Sequence, residues 1–128
     1  MQINAAPLPS EVDYINAHAT GTIQGDTEEA IAIGQVFGSR TPVSSLKAHL
    51  GHSLAACGAL EVIASIKMME ASVLIPTRNL QNVDPRCSGI NYIREKHSAT
   101  VRSILSNNFA FGGMNTSLLI TAVNGEAQ

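Results

Sequence analysis

The sequence predicts an α/β domain, a layered sheet carrying helices, and three observations point to it. Elements alternate as strand, helix, strand, helix and then run mostly to strands. One helical stretch, residues 53–70, is apolar or small almost all the way round, as in a helix covered on most sides. A Gly-Gly turn near the C-terminus separates two strand-like runs, the pattern of a closing hairpin.

Taken in order, residues 1–10 read as a tail or the remnant of a connection, 11–123 as the domain and 124–128 as a second tail. Val12 to Asn16 alternates and reads as a strand. Asp26 and Glu29 are spaced as a capping box, which sets a helix start at Asp26, and Gly38 sets its end. Thr41 to Ser45 is a second strand. The loop LKAHLGH then leads into the helix Ser53–Glu70, where Glu61 and Lys67 interrupt the apolar surface and Ala55, Ala56, Gly58 and Ala59 permit close backbone approach. Strands follow at Val73–Pro76, Asn91–Ile93, Ser103–Phe109 and Thr116–Val123, with FGGMN (Phe111 to Asn115) as the turn before the last.

The composition narrows the function. The chain has 128 residues, one domain's worth, with 45% hydrophobic and 14% charged residues, the latter well under the usual ~25%. A net charge of −2 offers no basic stripe for nucleic acid. No uncharged apolar run approaches the ~18 residues of a membrane span, and the N-terminus lacks a signal-peptide pattern. Two cysteines, Cys57 and Cys87, make no disulfide framework and fit a reducing cytosol.

The candidate chemistry sits in two strand-to-helix loops. His18 follows the first strand, where α/β sheets present functional groups, and His52 follows the second in the same way, so both imidazoles point to one end of the sheet. Lys47, five residues before His52, would hold both rings neutral by like charge, and neutral imidazoles donate to a developing oxyanion. Glu61, an acid in an apolar helix, reads either as a charged exposed edge or as a buried partner for Lys47. His49 and His52 at i, i+3 lack the further ligands of a zinc site. Cys57 lies inside the small-residue helix and Cys87 in a turn, so both read as packed thiols and no nucleophile is evident.

Three stretches, VDYINAHATGTIQGDTEE, SSLKAHLGHSLAACGALEVI and LSNNFAFGGMNTSLLI, together resemble the C-terminal half of β-ketoacyl-[acyl-carrier-protein] synthases, the elongating condensing enzymes of fatty-acid and polyketide synthesis. The resemblance spans about residues 11–123. It implies one half of a thiolase-like fold, two similar α/β halves in an αβαβα stack, with 53–70 as a central-layer helix. It makes His18 and His52 the histidines of a Cys-His-His site whose cysteine lies in the other half. It matches Lys47 and Glu61 to the family's lysine and the acid of the following helix, and Asp26 to an aspartate neighbouring that lysine. Thr20 and Thr22 match threonines that contact the carrier protein's phosphopantetheine arm. Phe111 matches a gating phenylalanine whose backbone N–H completes an oxyanion hole, with Gly112 and Gly113 beside the substrate.

The implied activity is decarboxylative Claisen condensation of malonyl-carrier protein with an acyl thioester, with no metal or dissociable cofactor. The implied partners are an acyl carrier protein and a cysteine-bearing N-terminal half or subunit, in a dimer and in the cytoplasm. Without that half the chain is expected to be inactive. The alternatives are a non-catalytic partner resembling chain-length-factor subunits and a carrier-protein-binding module. Ala19 stands where the family usually has glycine, and Met114 where threonine is common.

Overall fold

In the computed structural model, which describes residues 8–123, a five-stranded sheet is covered by one long helix on each face. Residues 1–7 and 124–128 of the expected tails lie outside the described residues. The rest of the first tail is ordered locally. Pro9–Glu11 forms a 3₁₀ turn, and the Glu11 carboxylate accepts from Leu8 N–H at 2.7 Å.

The sheet runs in the order β4-β2-β1-β6-β7, with β1 Tyr14–Asn16, β2 Pro42–Ser44, β4 Asn91–Tyr92, β6 Ser103–Ala110 and β7 Met114–Thr121. β4, β2, β1 and β6 are parallel; only β7 is antiparallel, closing the expected hairpin with Ala110 opposite Met114. Central β1 is buried at all three residues, as a parallel strand covered on both faces must be. Its side chains alternate between two cores. Ile15 packs with Ile33 and Val43 under α1 (Ile23–Phe37), whereas Tyr14 packs with Leu46, Met68 and Ile104 under α3 (Cys57–Ala71).

Several boundaries differ from the sequence reading. β1 starts at Tyr14 rather than Val12 because the Asp13 carboxylate takes the Arg102 and Ser103 amides, at 2.8 and 3.0 Å, outside the ladder. α1 begins at Ile23, not at Asp26. Thr22 is the N-cap residue, and Asp26, inside the first turn, reaches back to the amides of Gly21 and Thr22 at 3.2 and 3.3 Å. The anticipated capping box therefore does not form, since Glu29 is engaged elsewhere. α3 begins at Cys57, after a 3₁₀ turn, Leu54–Ala56. The expected strand at Val73–Pro76 is present as the two-residue β3 (Val73–Leu74), but its antiparallel partner β5 (His97–Ser98), the one-turn α2 (Lys47–Leu50) and a 3₁₀ turn at Pro85–Cys87 were not foreseen.

α3 is oriented against intuition. Its buried stripe is Cys57, Glu61, Ser65 and Met68, while Leu60 and Ile63 are 40% and 57% exposed, and Leu54 just before it is exposed too. The expected burial on most sides is therefore limited, within this chain, to one side. Among the described residues no helix is long and apolar enough to cross a membrane.

Candidate functional site

β1 and β2 are neighbouring parallel strands, so the loops leaving their carboxyl ends emerge at the same edge of the sheet. Asn16, the last residue of β1, ties the two together. Its amide oxygen accepts from Leu46 N–H at 3.2 Å and its nitrogen donates to Ser106 Oγ at 3.1 Å. His18 and His52 thereby meet, ring centroids 5.8 Å apart and nearly perpendicular. Phe109 of β6 closes a third side, its ring centroid 5.5 Å from that of His18.

The backbone under His18 is held by a residue the sequence reading passed over as a cap. Glu29 is 5% exposed, and one carboxylate oxygen accepts from His18 N–H at 2.9 Å and Asn107 Nδ2 at 3.2 Å. Its other oxygen accepts from Ala19 N–H at 2.8 Å. Burial pushes the Glu29 carboxyl up, while these three donors pull it down. Its signal in the sequence is its place beside Ala30 and four residues before Ile33, on the inward stripe of α1. Glu29→Gln is expected to destabilise the chain by about 1–3 kcal/mol, because its amide group would turn a donor toward one of two backbone N–H groups. A urea-unfolding midpoint within error of the parent would refute the assignment.

His52 is set by an unusual backbone. Leu54 lies at φ +52°, a left-handed conformation costing a non-glycine residue on the order of 1 kcal/mol, and its N–H donates to His52 Nδ1 at 3.1 Å. Nδ1 is thus an acceptor, and in the neutral ring the proton resides on Nε2, ready to be donated. Cys57, read from the sequence as lying one turn inside the helix, is instead its first residue. The thiol is buried and its Sγ lies 3.5 Å from the same Nδ1. His49 points elsewhere, with its Nε2 on the Pro76 carbonyl at 2.8 Å.

Lys47 and Glu61 form a buried ion pair at 2.5 Å, their side chains 4% and 1% exposed. Asn108 Nδ2 donates to the remaining Glu61 oxygen at 3.1 Å. His18 titrates below the usual histidine value, chiefly because burial penalises its charged form and next because Lys47 repels it. At neutral pH the His18 imidazole is neutral. The site therefore pairs a neutral ring with a donor-oriented one, their centroids 5.8 Å apart at the same edge of the sheet.

A cavity of about 610 Å³ opens beside them, lined by Thr20, Thr22, Lys47, His52, Thr77 and Arg78 among others. Thr20 Oγ1 and Thr22 Oγ1 are 3.2 Å apart at its rim. Asp26 also lines it, but its carboxylate is spent on Gly21 and Thr22, and the acid in contact with Lys47 is Glu61. The Phe111 ring is fully exposed at the β6–β7 turn, with Gly112 and Gly113 at φ +84° and +80°. None of these three is brought to the imidazole pair within this chain, because the hairpin projects past the sheet edge; the aromatic ring that reaches His18 is Phe109, two residues earlier.

Comparison with known proteins agrees on one lineage. Residues 3–81, which include His18, Lys47, His52 and Glu61, match the family described as Beta-ketoacyl synthase, C-terminal domain. The chain is 39% identical over 114 residues to 3-oxoacyl-[acyl-carrier-protein] synthase 1 of Escherichia coli, covering 88% of this chain and 28% of that protein. It superposes on a beta-ketoacyl synthase from Burkholderia phymatum with TM-score 0.87 and 47% identity, covering 91% of this chain and 29% of the other. A structure described as a type II PKS acyl-carrier protein in complex with its ketosynthase bound to the hexaketide, AntDE with AntF, gives TM-score 0.84 at 34% identity, covering 91% of this chain and 29% of the other. The chain thus spans less than a third of the length of each of these proteins.

Proposed function

Because the chain belongs to the β-ketoacyl synthases, as their C-terminal domain, we propose that it supplies the enolate-stabilising half of a decarboxylating condensation site. The observation that carries this reading is the edge-on pairing of His18 and His52 at 5.8 Å beside the buried Lys47–Glu61 pair. In the proposed reaction a cysteine on a separate N-terminal half takes an acyl group as its thioester. Malonyl-carrier protein enters along the cavity, with Thr20 and Thr22 toward its phosphopantetheine arm. The C–C bond to the carboxylate breaks, carbon dioxide leaves, and the electron pair moves onto the thioester oxygen as an enolate. N–H groups of His18 and His52 stabilise that oxygen. The enolate carbon then attacks the acyl thioester, expelling the cysteine thiolate and leaving a β-ketoacyl product on the carrier protein.

The reading requires no metal or dissociable cofactor. Its partners are an acyl carrier protein and the cysteine-bearing half, and its setting is the cytoplasm. The acyl-carrier protein bound to the AntDE ketosynthase supports the first partner. The exposed Leu60 and Ile63 on α3 support the second, as apolar surface that a further layer would cover. Phe111, Gly112 and Gly113 are proposed to take up their gating and substrate-side roles only in that assembly.

The test is reconstitution. The chain alone should give no β-ketoacyl product from acyl- and malonyl-carrier protein, and co-expression with a cysteine-bearing N-terminal half should restore turnover. Condensation by the chain alone that survives Cys57→Ala would overturn the proposal.

A further inference from the structure

Cys57 stands where α3 begins, and its buried thiol meets His52 Nδ1 at 3.5 Å. A neighbour fixes the direction of that contact. Leu54 N–H already donates to Nδ1 at 3.1 Å, so this nitrogen carries a lone pair and no hydrogen. The Cys57 S–H is therefore the donor, and two donors converge on one acceptor. A thiolate in the same place would set its charge against that lone pair.

The two donors are not equivalent. Leu54 lies two residues from His52, exposed and in a left-handed conformation, so its amide moves with the loop that carries the ring. Cys57 belongs to α3, whose buried face is pinned one turn later where Glu61 pairs with Lys47. Through the thiol, the imidazole is referred to that helix as well as to its own loop. A half-turn of the ring about Cβ–Cγ would put a carbon before both donors, so the thiol also opposes that flip. A hydrogen bond accepted at Nδ1 polarises the ring and makes Nε2–H the better donor.

We propose that Cys57 is a positioning residue for His52, holding the ring in the orientation and tautomer that present Nε2–H. The contact stands on the geometry of this chain; its catalytic meaning rests on the function proposed above for His52.

Two variants of the ¹⁵N-labelled chain test it. Cys57→Ala removes the donor and its volume, whereas Cys57→Val returns the volume without a donor. The His52 Nδ1 resonance is assigned by its loss in His52→Gln and read at mildly alkaline pH, where imidazoles are neutral. In both variants it should move downfield, toward that of a less hydrogen-bonded ring nitrogen. His49 and His97, whose rings bond the Pro76 and Glu95 carbonyls, serve as internal controls and should not move. In the assembled enzyme, kcat for malonyl decarboxylation should fall about threefold in each variant with KM nearly unchanged, the effect of losing one weak hydrogen bond. A resonance that stays in place in both folded variants overturns the proposal. So does a parent-like resonance and rate in Cys57→Val, since packing alone would then account for the thiol. A moved resonance with unchanged decarboxylation in both supports the contact and counts instead against His52 as an enolate stabiliser.

Discussion

Glu61→Ala is expected to lower stability by about 3–5 kcal/mol, the largest effect of any single substitution considered. The reason is what remains rather than what is lost. Lys47 is 7% exposed, so without Glu61 its ammonium is either buried unpaired or must deprotonate, and both are costly. The Asn108 amide loses its acceptor at the same time. Against a typical total of about 5–15 kcal/mol, such a loss leaves little folded chain at 37 °C. Replacing both partners, Lys47→Met with Glu61→Leu, should recover most of the loss, since two apolar side chains of similar volume leave no orphan charge. Urea unfolding of the two single variants and the double one measures this. A single-variant cost under about 1 kcal/mol would place the pair among weak surface bridges and contradict its burial.

His18→Ala and His52→Ala, each introduced into the assembled enzyme, are expected to slow carbon dioxide release from malonyl-carrier protein by about 10²–10³. The double variant should fall well short of the product of the two, because the groups act on one oxygen. Acylation of the partner's cysteine should be far less affected, which separates enolate stabilisation from general collapse of the site. The pH dependence has a definite sign. The folded-state pKa of His18 lies below its unfolded value of about 6.5, so the folded chain binds fewer protons there than the unfolded chain does. Its contribution to stability is intact above that unfolded value and declines as pH falls through it, until the folded pKa is passed. Lys47→Met removes a repulsive charge and should move the His18 midpoint upward. A pH–rate profile combined with histidine titration checks both statements.

Much of the architecture was readable because the long elements are bounded by glycines and differ in length and composition from the short strands between them. The two strand-like runs on either side of the Gly-Gly turn announced the β6–β7 hairpin, and Gly38 marked the end of α1. The misplaced start of α1 has a plain cause: Asp-x-x-Glu spacing is the same whether the two acids cap a helix or reach back from inside it. Only tertiary context sent Asp26 to the Gly21 and Thr22 amides and Glu29 to the His18 loop. The β3–β5 ladder is two residues long on each strand, too short to show a period.

In the site, the histidines and the lysine stood out as ionisable groups beside strand ends. Glu29, Asn107 and Asn108 did not, because their importance lies in what they hold, across 11 to 78 residues of sequence. Amides in the middle of a β-strand were the available signal. Leu54 offered none, since nothing in the residue type announces a left-handed backbone.

The outward leucine and isoleucine of α3 carry a consequence for engineering. Leu60→Glu with Ile63→Glu would make the free chain better behaved in solution, since both positions are exposed and off the buried stripe of the helix. The same change would write charge onto the surface proposed above to receive the cysteine-bearing half, and on that proposal a variant selected for yield alone would be selected against assembly. Solubility and competence are opposed traits on this helix, so an expression screen should be scored on the pair and never on the single chain.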